Sequence, residues 1–191
     1  DPSFSPDGTH LAFASHITGS YPVEYSRGDL DVADFDPASA TFTNRHTIVN
    51  AGSSAVAFPS FSPDSSWVFF QMGDYSRAKY GTDSVGHDDH YVADQAGTTG
   101  PILLANASGA NLDPSQQHLS YQPTVNPISV GGYSWVVFVS PRDYGNKMAS
   151  ANGNPTYDNR KQLWVAAVDS NPTPGTDPSH PAFHLSGQDL T

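Results

Sequence analysis

Apolar residues come in short runs set off by turn-forming residues. Leu11-Ala12-Phe13 and Val68-Phe69-Phe70 each follow a Ser-Pro-Asp turn, and a third run lies within Ser134 to Ser140, read as SWVVFVS. Runs this short, bounded by Gly, Pro, Asp and Ser, predict β-strands. Because they are apolar at successive positions, the strands are expected to be buried on both faces. No stretch carries apolar residues at helical spacing for three turns. The pattern therefore predicts an all-β chain.

The runs belong to a longer repeat. Pro2-Ser3-Phe4-Ser5-Pro6-Asp7-Gly8 aligns with Pro59-Ser60-Phe61-Ser62-Pro63-Asp64-Ser65, fifty-seven positions later. A weaker third copy starts at Pro123-Thr124-Val125-Asn126-Pro127, with a turn four residues longer that uses Gly131-Gly132. Each copy reads as a hairpin: a short strand, a tight turn in which proline presets the second position, then the apolar strand. A third strand ending in Asp follows in DLDVADFD, HYVADQAG and LWVAAVDSN, and a fourth in TFTNRHTIV, GPILLANA and PAFHLSG. Four antiparallel strands repeated at about sixty residues are the sequence mark of β-propeller blades. The expected units are residues 1–57, 58–119 and 120–191.

PSFSPDGTHLAFAS, followed by a third strand ending in Asp, resembles the TolB-type propeller repeat of bacterial periplasmic and secreted proteins. The same repeat occurs in the propeller halves of some prolyl-oligopeptidase-like enzymes. The resemblance implies a β-propeller of four-stranded antiparallel blades, in a periplasmic or extracellular setting, acting as a structural or protein-binding scaffold. Two alternatives follow: the accessory, substrate-gating propeller of a hydrolase whose catalytic part lies outside these residues, or a carbohydrate-binding propeller. Propellers close with roughly four to eight blades, and about three are present, an incomplete ring. Further blades, from the same chain or from other chains including a homo-oligomer, are expected partners. The chain starts at Asp1 within a strand-like segment, which fits a mature product, an excised domain or part of a longer protein.

Composition adds limits. The 191 residues carry a net charge of −11, which repels phosphate backbones and anionic headgroups, so neither nucleic acid nor bare membrane is an expected partner. No segment has the roughly twenty apolar residues a helical membrane span needs. The absence of cysteine excludes disulfides, thiolate metal sites and cysteine nucleophiles.

Charge is distributed by location. In alternating strands, all connections from second to third strand emerge at one end of the units. Here they are long, near Ser15–Asp29, Met72–Asp89 and Ser140–Gln162, and they hold seven of the eight Lys and Arg residues, with Arg45 elsewhere. Each places an Arg within two residues of a Tyr. One reading has these arginines bracing the loops by gripping neighbouring carboxylates. The other makes Tyr25, Arg27, Tyr75, Arg77, Arg142 and Tyr144 a recognition surface for a protein partner, since Tyr and Arg dominate interface energetics.

No catalytic site is expected. The nucleophile elbow G-x-S-x-G is absent, and the single glutamate, Glu24, leaves little scope for a Glu-based acid–base pair. His87, Asp88, Asp89 and His90 form the one dense polar cluster and are weak metal-ligand candidates. The competing expectation is that strand alternation points the two histidines apart and that the aspartates cap a turn. Neither metal nor cofactor is assigned. Trp67, Trp135 and Trp164 align with apolar repeat positions and are expected to pack between units rather than stack on sugars.

Overall fold

The computed structural model describes residues 2–19, 24–74, 87–143 and 161–188. It is all-β, with antiparallel sheets. Strands β1 (Ser3–Phe4), β2 (His10–Thr18), β3 (Arg27–Asp36) and β4 (Thr41–Val49) form a first meander, each strand paired with the next. Strands β5 (Ala55–Phe61), β6 (Trp67–Gly73), β7 (Asp88–Asp94) and β8 (Ile102–Leu103) form a second. Strands β9 (Tyr121–Val125), β10 (Tyr133–Ser140), β11 (Gln162–Asp169) and β12 (Phe183–His184) form a third. A single parallel contact, Gly28 with Ala55, joins the first meander to the second. A closed barrel or ring is not formed by the described residues.

The repeated turn is reproduced atom for atom. Gly8 N–H donates to the Ser5 carbonyl and Ser65 N–H to the Ser62 carbonyl, both at 2.9 Å. Ser5 Oγ donates to Asp7 Oδ1 and Ser62 Oγ to Asp64 Oδ1, both at 2.5 Å. The same serine oxygens accept from the next strand, from His10 N–H at 2.9 Å and Trp67 N–H at 3.0 Å. The fourth turn position is left-handed in both, at φ 73° for Gly8 and 64° for Ser65. In the third unit Gly131 and Gly132, at φ 70° and 84°, close a small extra hairpin between Val130 and Tyr133, the conformation a primed two-residue turn requires.

A second shared device was not anticipated from the sequence. Phe58 and Gln122 each precede a proline and each adopt positive φ, 53° and 54°. Pairing slips beside both, between Ala57 and Ser60 in β5 and opposite Val137–Val139 in β9. These are bulges in the first strand, and the one in β9 presents backbone N–H groups to the neighbouring unit. Gln122 N–H donates to Gln71 Oε1 at 3.0 Å, and Val125 N–H to Ser60 Oγ at 3.0 Å.

The units stack sheet on sheet through two cores. One joins Ala12, Leu30, Val32 and Ile48 of the first unit to Val56, Val68, Phe70 and Ala93 of the second. The other joins Phe69, Val92 and Leu104 of the second unit to Val136, Phe138, Trp164 and Ala166 of the third. Burial on both faces is thus realised in β6, where Val68, Phe69, Phe70 and Gln71 are all buried. It is not realised in β2 or β10, where buried positions recur only every second or third residue. The expectation for these two is corrected for a simple reason: only the middle unit has a neighbour on each side.

The fourth strands of the second and third units are two residues long. After β8 the chain makes one helical turn, α1 (Ala105–Ser108), closed by Gly109 at φ 88°. Asp177 and Ser179, from the loop between β11 and β12, accept from the α1 amides of Asn106 and Ala107 at 2.8 and 3.1 Å.

Candidate functional site

Among the described residues, the tyrosines and arginines of the β2–β3, β6–β7 and β10–β11 connections do not form one exposed surface. Tyr75, Arg77 and Tyr144 lie outside the described residues. Tyr25 is buried; its hydroxyl donates to the Val56 carbonyl of the second unit at 2.8 Å, and burial pushes its pKa up to about 12. Arg27, at the start of β3, is exposed.

Arg142 is 2% exposed. Its guanidinium lies over the rings of Phe138 and Trp164, 5.1 and 5.0 Å from their centroids. Nε donates to Ser140 Oγ at 2.9 Å and Nη2 to the Ala107 carbonyl at 3.1 Å, tying β10 to the end of α1. Burial lowers its pKa to about 10, with the Asp89 charge acting the other way. An exposed recognition role is therefore corrected for Tyr25 and Arg142. Both brace a junction between units, because a planar aromatic or guanidinium group with hydrogen-bonding capacity at its tip can fill an apolar wedge and still satisfy its polar end.

The cluster at residues 87–90 disperses, and the aspartates lie within β7 rather than capping a turn. His87 is exposed and its ring nitrogen meets Asp74 Oδ2 at 3.3 Å. Asp89 Oδ2 meets His118 Nδ1 at 2.7 Å. The Asp88 backbone bonds both ways to the segment before β9, its N–H to the His118 carbonyl and its carbonyl to Ser120 N–H. A Cβ at Gly73 would fall 2.1 Å from the His87 carbonyl, so only glycine lets β7 enter here. His90 is buried edge-on against Phe138, ring centroids 4.6 Å apart. Burial and the Arg142 charge push its pKa down to about 3, with the Tyr121 backbone opposing. Among the described residues no group of three or more His, Asp or Glu side chains could hold a metal ion.

The surface that stands out lies on the strand faces rather than in the connections. Strand pairing places Leu11 opposite Ala33, Val68 opposite Ala93, and Val136 opposite Ala166. Two residues on come Phe13, Phe70 and Phe138. In the second and third units these residues are buried against the unit before. In the first unit Leu11, Phe13 and Ala33 instead line an open groove of about 690 Å³, with Phe42 and Arg45 at its rim. Arg45 Nε donates to Asp31 Oδ2 at 2.6 Å and its guanidinium lies 5.4 Å from the Phe13 ring centroid. Burial raises the Asp31 pKa, but hydrogen bonds from Ser15, Arg45 and Thr47 outweigh it and hold the carboxyl below its usual range.

The opposite face repeats as well. Ala12 pairs with Val32, Phe69 with Val92, and Val137 with Val165. The first two pairs are buried against the unit that follows. In the third unit Val137, Val139 and Leu163 line an open depression. The 57-residue offset that aligns Leu11 and Phe13 with Val68 and Phe70 was a signal that would have found these faces. No known family model matches the sequence, and no curated protein matches it either.

Proposed function

We propose that the chain is a β-propeller module of the TolB-like kind, a non-catalytic scaffold that holds protein partners outside the cytoplasm. The observation that carries this reading is the threefold meander with its repeated turn, bulge and apolar faces, the units stacked in sequence through two equivalent cores. In each unit a connection joins the second strand to the third, and loops on a rigid support are where binding concentrates. Of Tyr25, Arg27 and Arg142, the described members of the expected recognition surface, Arg27 is the one that faces solvent. It marks the partner-binding end.

A photo-crosslinking residue at the exposed position Ser26 tests this. With an extracytoplasmic extract from the source organism, it should trap a discrete protein. Adding Arg27→Glu should reduce trapping at least about tenfold, the scale of a lost interface contact worth 1–2 kcal/mol, with melting unchanged. The same crosslinker at Thr41, on the far side of the unit, should trap nothing specific. Equal trapping from both positions, or indifference to Arg27→Glu, would remove the loop end as the binding surface.

A further inference from the structure

We infer that two copies of the chain associate head to tail, the face bearing Leu11 and Phe13 of one covering the face bearing Val137 and Val139 of the other. This deepens the propeller reading and rests on it. Each open face has counterparts inside the molecule that are already covered. Phe13 is the counterpart of Phe70 and Phe138, both buried against a preceding unit. Val137 is the counterpart of Ala12 and Phe69, both buried against a following unit. The three described units thus form the same junction twice and leave one unmatched half on each outer face. A second copy supplies the missing half at each end, continuing an interface the molecule already builds.

The exposed face tolerates cover. Its carboxylate, Asp31, is already paired with Arg45 at 2.6 Å, so closing over it strands no charge. Such a head-to-tail contact is heterologous, and heterologous contacts form rings when the rotation closes. Each copy brings three four-stranded units, and propellers close with roughly four to eight. Two copies supply the one multiple of three in that range. Their pairing through both interfaces at once leaves neither apolar face in water and stops growth at a dimer.

The mass of the intact 191-residue chain in solution, by light scattering or sedimentation across concentration, decides the matter. The expected value is twice 20.4 kDa, more fully populated at about 0.15 M salt than at 0.01 M, because salt screens the mutual repulsion of two acidic copies. Phe13→Asp and Val137→Asp should each halve the mass. Mixing these two variants should restore a dimer, since one retains the intact tail and the other the intact head; neither should dimerise alone. Leu163→Lys, at a position 39% exposed, provides a tail variant whose fold is not at risk, and circular dichroism melts verify that each variant is folded. A monomer at every concentration and salt would overturn the inference while leaving capture at Ser26 untouched. A mass that grows without limit would overturn closure and the propeller curvature together. Failure of the mixed variants to pair would show the contact is not head to tail.

Discussion

Ser65 shows how closely one residue follows the repeat and where it departs. It occupies the left-handed turn position that Gly8 fills in the first unit, at φ 64°. A residue with a Cβ adopts that conformation at a cost of about 1–2 kcal/mol. Ser65 Oγ accepts a hydrogen bond from Asp7 N–H at 3.3 Å, linking two repeated turns. Ser65→Ala and Ser65→Gly both delete that bond, and only glycine relieves the backbone. The glycine variant should therefore be more stable than the alanine variant by about 1 kcal/mol in denaturant titrations. Equal stabilities would mean the left-handed turn is not held in solution. Its partner aspartate is legible in the same way. Burial raises the Asp7 pKa, but hydrogen bonds from Ser5 and Thr9 outweigh it and bring it down to about 2. The turn chemistry could be read from Ser-Pro-Asp-Gly because the bonds that shape each turn are local, whereas the Asp7–Ser65 link between turns could not.

At the scale of elements, the informative place is the wedge between β7 and β10, where His90 and Arg142 meet Phe138. His90 is the counterpart of Leu30 and Leu163, opposite Gln71 as these are opposite Ala14 and Val139. Held neutral by burial, it resists protonation down to about pH 3, whereas in the unfolded chain it titrates near 6.5. Between these values the unfolded state binds the extra proton, so stability is full above about pH 6.5 and is lost as pH falls. The slope approaches about 1.4 kcal/mol per pH unit where the difference is fully developed. Unfolding free energies measured from pH 7.5 to 4.5 should show this fall. His90→Leu, which restores the residue of the sister units, should flatten it. An unchanged slope in the variant would rule out His90 as the source. None of this was legible from the sequence, where His90 is one of four adjacent polar residues. Its fate depends on an arginine fifty-two positions away.

Across the whole molecule, equivalent residues have unequal surroundings. Phe70 is wholly buried between the first two units, while Phe13 borders an open groove. Phe70→Ala should cost about 3–5 kcal/mol, the range for a large aromatic lost from a core. Phe13→Ala, measured under conditions that keep the chain monomeric, should cost less, about 1–2 kcal/mol, since Phe13 is only partly buried. Comparable costs would mean the first unit's face is covered in the isolated chain. The same inequality explains why the apolar runs misled. All three looked like strands buried on both sides, and only β6 has a unit on each flank. Charge follows the same logic. Arg142 and Tyr25 sit in connections that read as exposed, yet both are drawn into the junctions they brace.

By itself the sequence determined the long strands, the turns and the repeat, because hydrogen bonds within Ser-Pro-Asp-Gly and short apolar runs depend on neighbours a few residues away; the fourth strands read in GPILLANA and PAFHLSG shrink to two residues each, the first giving way to α1. Its internal offset also determined which residues are equivalent. Only the tertiary structure decided which equivalents are covered. That depends on whether another unit lies against a given face, and no local pattern carries that information. Hence Phe70 is core, Phe13 is only partly buried, and Arg142 is a brace within the fold.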